Sequence, residues 1–228
     1  MDVVRSLTRS RQIGYHCAEA ELWLAASNGG INTTPLSYAA FELRLEIERI
    51  AVEILIRIRG DRLLPEDVQS LGTFRRLEDR IYELAGHQRL IDRKVEFINL
   101  MLAALQLDQR MQRIHVGELK EAWHDCSKLC HIEWSLIADS PIAAAVAEEA
   151  FGVISEIQGR VRTIVDEGVS WFKLADASFA ELQSRYAEGE VDDEYVRTWF
   201  SERGLWARIT EPSGTSKFVG VPIPPQAG

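Results

Sequence analysis

The chain reads as an all-α protein, a helical bundle domain over residues 1–174 followed by a small C-terminal helical and hairpin appendage over 175–228. Three observations predict this. Apolar side chains recur at three- and four-residue intervals through most of the first 171 residues, the period of a helix with one buried face. Those runs are punctuated by helix start and stop signals, Thr34-Pro35 and Ser140-Pro141 at beginnings, Asn28-Gly29-Gly30, Gly60-Asp61 and Gly86 at ends. No alternating pattern is extensive enough for a parallel nucleotide-binding sheet.

The first helix is predicted from about Arg9 to Ser27, with Ile13, Cys17, Ala20 and Leu24 as its apolar line and Trp23 on the same face. Asn28, Gly29 and Gly30 end it because they tolerate left-handed backbone angles. The second helix, Pro35 to Arg59, is the element around which the chain is organised. Glu42, Glu46, Arg49, Glu53 and Arg57 define a water-facing stripe on it, and nearly everything else is apolar. Arg44 and Glu48 fall away from that stripe, one turn apart and opposite in charge. Charges on an apolar face need partners, so they are expected to pair with each other or with a neighbouring helix.

A helix from Pro65 to about Ala85 should turn Val68, Leu71, Phe74, Leu77, Ile81 and Leu84 inward. It should form an antiparallel hairpin with the next helix, about Leu90 to Leu107, through the short link at Gly86. Val116 to Ala138 follows, organised by Leu119, Ala122, Trp123, Cys126 and Cys130. Pro141 then opens a helix reaching towards Trp171, which Gly152 and Gly159 could kink or break. The tail holds two short helices, Phe179 to Tyr186 and Tyr195 to Phe200, the second capped by Asp192, and a hairpin of Leu205–Thr210 with Lys217–Val221.

Composition narrows function without selecting it. The formal net charge of −9 favours solubility and argues against broad binding to duplex nucleic acid, while leaving room for a local basic cleft. Three cysteines do not make a disulfide framework, no hydrophobic run of signal-peptide length follows Arg5, Arg9 and Arg11, and Phe97–Leu107 is too short to span a bilayer. A cytoplasmic protein with no membrane partner and no cofactor is expected. Glycine-rich phosphate loops are absent in their required strand-to-helix context.

The densest reactive cluster is His124, Cys126, Cys130 and His131. One straight helix cannot converge all four on a tetrahedral metal, so satisfied core cysteines and ordinary histidines are the simpler reading. Glu121 and His124 have the Glu-x-x-His spacing of helical di-metal sites, but a second such pair is missing. His16 is read as a surface or half-buried side chain. The tail aromatics Tyr186, Tyr195, Trp199, Phe200 and Trp206 suit docking within the chain or against another one.

The run Arg44-Leu-Glu-Ile-Glu48 resembles the Arg-x-x-x-Glu pattern in an early helix of the HEPN superfamily, with overlap over roughly residues 9 to 171. Active members of that superfamily are metal-independent ribonucleases that usually dimerise and bring together Arg-x(4 to 6)-His motifs from a later helix. The resemblance therefore points to Arg80 with His87 and Arg110 with His115 as catalytic candidates, histidine moving a proton and arginine holding phosphate. Arg44, Glu48 and His131 are kept as binding candidates. His131, placed within a later helix, has no arginine at the required interval. The favoured expectation is a homodimeric binding or assembly protein. The alternative is a HEPN-like endoribonuclease of a toxin or defence system acting on RNA, and a third possibility is a helical regulatory module whose Arg44/Glu48 region holds a small anion or nucleotide.

Overall fold

The structure, a computed structural model, describes residues 12–59, 63–108, 110–130, 141–168, 174, 176–210 and 216–221, with the backbone alone at 141–143, 206–210, 216–219 and 221. Among the described residues it is an all-α fold with one small hairpin. The helices are α1 (Tyr15–Ala26), α2 (Thr33–Arg59), α3 (Pro65–Ser70), α4 (Phe74–Ala85), α5 (Gln88–Ala104), α6 (Val116–Leu129), α7 (Pro141–Glu167), α8 (Ala177–Glu188) and α9 (Asp193–Arg203). The strands β1 (Leu205–Thr210) and β2 (Ser216–Val221) pair antiparallel, from Leu205 opposite Val221 to Thr210 opposite Ser216. None of these helices is long and apolar enough to cross a membrane.

The chain divides into two compact units, residues 1–84 with 114–171, and residues 85–113 with 172–228. This differs from a boundary at residue 174. The tail does not fold as an appendage by itself; it takes α5 as its central helix. Inside the second unit α5 packs with α8 and α9. Periodicity locates an apolar face but says nothing about which distant segment covers it.

In the first unit α2 is the spine, with α1, α6 and α7 packed on it. Leu43, Ile47, Ile50 and Leu55 of α2 are fully buried, together with Cys17, Ile81, Cys126 and Ile154 from its neighbours. Asn28, Gly29 and Gly30 all have positive φ, as the stop signal requires. The predicted Pro65–Ala85 helix is two pieces. It breaks at Leu71-Gly72-Thr73, where the Thr73 hydroxyl accepts the Arg76 amide at 3.3 Å and restarts the chain as α4. That break leaves Val68 and Leu71 exposed instead of in the core. By contrast α7 runs unbroken past Gly152 and Gly159, whose Cα positions face open space, and stops at Gly168 with φ 77°.

The second unit has its own core of Phe97, Ile98, Leu102, Tyr186, Val196, Phe200 and Leu205. Phe97 meets the rings of Tyr186 and Phe200 at 5.9 and 5.7 Å, so these two tail aromatics serve packing within the unit, while Tyr195 is exposed and the side chain of Trp206 lies outside the described residues. Asp176 and Asp192 cap α8 and α9 through the Ser178 and Tyr195 amides, each at 2.8 Å. After α5 the chain folds back on itself: the Asn99 side chain accepts the Met111 amide at 2.7 Å and donates to its carbonyl at 3.0 Å.

Candidate functional site

Three polar arrangements and one apolar surface surround α2. The first corrects the water-facing stripe. Glu46 is fully buried, its two oxygens accepting the backbone amides of Gly14 at 2.8 Å and Cys17 at 3.1 Å. These are orphan donors at the start of α1, so a carboxylate from a different helix does the capping. One turn earlier Glu42 lies 2.6 Å from His16 Nδ1, with both side chains largely covered. Charge spacing alone could not reveal this, because an acidic residue facing helix amides has the same periodicity as one facing water.

Arg44 and Glu48 do pair, Nε to Oε1 at 3.2 Å, and both remain about one-third exposed, at 34% and 38%. The Trp123 indole N–H of α6 donates to the same Glu48 oxygen at 2.7 Å. The Arg44 guanidinium lies 4.8 Å from the Trp123 ring, which also meets Phe74 at 5.7 Å. The pair is thus a tie between α2 and α6, held by an ion pair, a hydrogen bond and a cation–π contact.

Below Trp123, Cys126 is fully buried and burial pushes its thiol up to about 12, with Cys130 and Asp125 adding to the rise. Burial likewise raises Cys17 to about 11. Such thiols stay protonated and unreactive at neutral pH. His124 is exposed on the outside of α6, and among the described residues no group of histidine, cysteine and carboxylate side chains is placed to hold a metal. His131 lies outside the described residues.

Arg80 is committed to a buried carboxylate. Asp67, fully buried, receives Arg80 Nε at 2.8 Å and both Nε and Nη2 of Arg59 at 2.9 Å, while its Oδ2 accepts the Leu64 amide at 2.9 Å. Burial works to raise the Asp67 pKa, but the hydrogen bonds from Arg59, Leu64 and Arg80 outweigh it and hold the group at about 2. Sequence gave one signal for this: a Pro65-x-Asp67 start places the aspartate where it can accept the cap residue's amide. Beside Arg80 lies an open cleft of about 360 Å³ lined by Glu66, Gln69, Ser70, Arg76, Asp79, Arg80 and Glu83. Its three carboxylates against two guanidiniums do not favour a polyanion.

Each of the two Arg/His pairs is divided between the units. Arg80 belongs to the first and His87, exposed at the start of α5, to the second. Arg110, exposed in the segment after α5, belongs to the second unit, and His115, half-buried at the start of α6, to the first.

The apolar surface is the outer face of α2. The buried residues of this helix, from Leu36 to Leu55, occupy one side. At 100° per residue, Tyr38, Phe41, Leu45, Arg49, Val52 and Ile56 fall within an arc of roughly 80° directly opposite. Tyr38 and Phe41 are exposed at 50% and 44%, and Leu45, Val52 and Ile56 are half-buried. A helix on the surface of a bundle ordinarily turns its charges outward. Here the other charges between Tyr38 and Ile56 point sideways or inward, and the outer stripe is apolar except for Arg49, with Thr34 and Arg59 falling in the same arc at the two ends of the helix.

Comparison with known protein families, characterised proteins and solved structures finds no match.

Proposed function

We propose that this protein is a helical assembly protein that works as a homodimer through the outer face of α2. The single observation that carries this reading is the apolar stripe from Tyr38 to Ile56 on a helix whose opposite face already forms the core. A stripe with Tyr38 and Phe41 exposed and Leu45, Val52 and Ile56 half-buried offers apolar surface on which another surface can dock. Closed twofold association is the commonest way for one chain to cover such a face. The polar features support a non-catalytic role. Glu46, Asp67 and the Arg44/Glu48 pair are engaged in holding helices together, and Arg80 serves Asp67.

Light scattering over a range of concentrations tests the reading. The wild-type chain is expected at twice its monomer mass, and Phe41→Glu, which places a carboxylate in the stripe, shifts the equilibrium towards monomer with unchanged helicity. A wild-type monomer throughout overturns it. The resemblance to the HEPN superfamily sets the competing outcome: RNA cleavage in the presence of a chelator, abolished by His87→Ala or His115→Ala, would replace assembly with metal-independent endoribonuclease activity.

A further inference from the structure

We infer that Asn28 is a self-modifying site, whose carboxamide is attacked by the backbone nitrogen of Gly29 and converted to aspartate and isoaspartate without an enzyme. This holds whether or not the chain assembles. The sequence has three asparagines, Asn28, Asn32 and Asn99, and only Asn28 is followed by glycine. A side chain on the following residue shields its backbone nitrogen, and glycine has none. Asn28 is exposed at the end of α1 with φ 50°, and Gly29 is exposed with φ 69° and nothing within 4 Å of where a Cβ would stand. The turn closes around them through the Asn32 amide on the Ser27 carbonyl at 2.9 Å and the Ile31 amide on the Asn28 carbonyl at 3.4 Å. Among the described residues neither the Gly29 amide nor the Asn28 side chain has a hydrogen-bond partner, so both reacting groups are free. The other two asparagines are held. Asn32 donates to the Ala26 carbonyl at 3.1 Å and precedes branched Thr33, while Asn99 lies inside α5 with both ends of its amide bonded to Met111.

The step is a ring closure followed by hydrolysis. Solvent base removes the Gly29 amide proton, the nitrogen bonds to Asn28 Cγ, and the bond from Cγ to Nδ2 breaks as ammonia leaves. Water then opens the cyclic imide. Cleavage at Cγ gives aspartate, and cleavage at the Asn28 backbone carbonyl gives isoaspartate, with the main chain rerouted through Cβ and Cγ. Either product places a carboxylate at the end of α1 towards which its last carbonyls point, where negative charge is unfavourable. Isoaspartate also adds an atom to the backbone of a turn that has no slack. Gly30 lies so close to α7 that an added Cβ would meet the Ala147 carbonyl oxygen at 2.7 Å. Lengthening the chain two residues earlier must break the bond from Asn32 to Ser27 or push Gly30 off α7. Conversion therefore loosens the join of α1 and α2 slowly and irreversibly, as a chemical clock built into the fold.

Peptide mass spectrometry of the full chain, incubated folded at neutral and at alkaline pH, tests this. Conversion is expected at Asn28, faster at the higher pH because the nucleophile is the deprotonated amide, with Asn32 and Asn99 intact. Gly29→Ala is expected to slow it several-fold and Asn28→Gln to abolish it. Melting curves read the consequence: wild type aged until Asn28 has converted should melt at a lower temperature than fresh protein, while Asn28→Gln incubated alongside keeps its own melting temperature. An Asn28 that stays intact in the folded chain overturns the site, because the turn then protects it. Equal conversion of all three asparagines also overturns it, since the reaction then follows unfolding and not this turn. Conversion of Asn28 with no fall in melting temperature overturns the loosening.

Discussion

The backbone amide of Gly14 donates to Glu46 Oε1 at 2.8 Å, joining residues 32 apart in sequence across the interface of α1 and α2. With Cys17 N on the second oxygen, the Glu46 carboxylate completes the start of a helix to which it does not belong. Glu46→Gln removes one of those two acceptors and offers a donor to a donor, at a cost of about 1–3 kcal/mol. Denaturant unfolding should show that loss for Glu46→Gln and a smaller one for Glu42→Gln, whose carboxylate is partly exposed.

Asp67 makes the protein's stability depend on pH at the acid end. Its folded pKa of about 2 lies below its ordinary value of 3.8, so the folded state holds the proton less readily than the unfolded one. The stabilisation is complete above pH 4 and is lost as pH falls towards 2. Asp67→Asn leaves Arg59 and Arg80 without their carboxylate and costs roughly 3 kcal/mol at neutral pH. The difference in melting temperature between wild type and variant should shrink as the pH drops through that window.

Buried thiols should resist modification until the fold opens. At neutral pH a maleimide is expected to label Cys130 first, with Cys17 and Cys126 protected, as read by mass spectrometry of peptides. Rapid labelling of Cys126 in the folded protein would contradict its burial.

Adjacent glycines in the turn between α1 and α2 should respond differently to alanine. Gly29 has φ 69° with nothing within 4 Å of an added Cβ, so Gly29→Ala carries only the left-handed backbone cost, about 1 kcal/mol. At Gly30, φ is 92° and an added Cβ would meet the Ala147 carbonyl oxygen of α7 at 2.7 Å. Gly30→Ala must push the turn away from α7, and its loss in thermal unfolding should clearly exceed that of Gly29→Ala.

How much of this was legible in the chain varies element by element. The stop at Asn28-Gly29-Gly30, the caps at Asp176 and Asp192 and the pairing of Arg44 with Glu48 concern residues close in sequence, where rotamer, cap and turn chemistry act locally; of these, Asp176 alone went unread. The tail hairpin was legible for the same reason. The break at Gly72 was missed because apolar spacing carries smoothly across it from Val68 to Phe74, although only the second residue is buried.

By itself the sequence determined that this is a helical protein, where most of its helices start and stop, and that α2 carries an apolar majority with a charged pair inside it. The tertiary structure alone decided that α5 joins the tail instead of the bundle, that Glu46 faces backbone amides instead of water, and that Arg80 is held by Asp67. Helical periodicity is a property of a single segment, whereas burial of a charge depends on what a distant segment brings to meet it. The same reasoning separates the two sides of α2: both are largely apolar in sequence, and α1, α6 and α7 pack on this helix while Tyr38 and Phe41 on its outer side stay exposed.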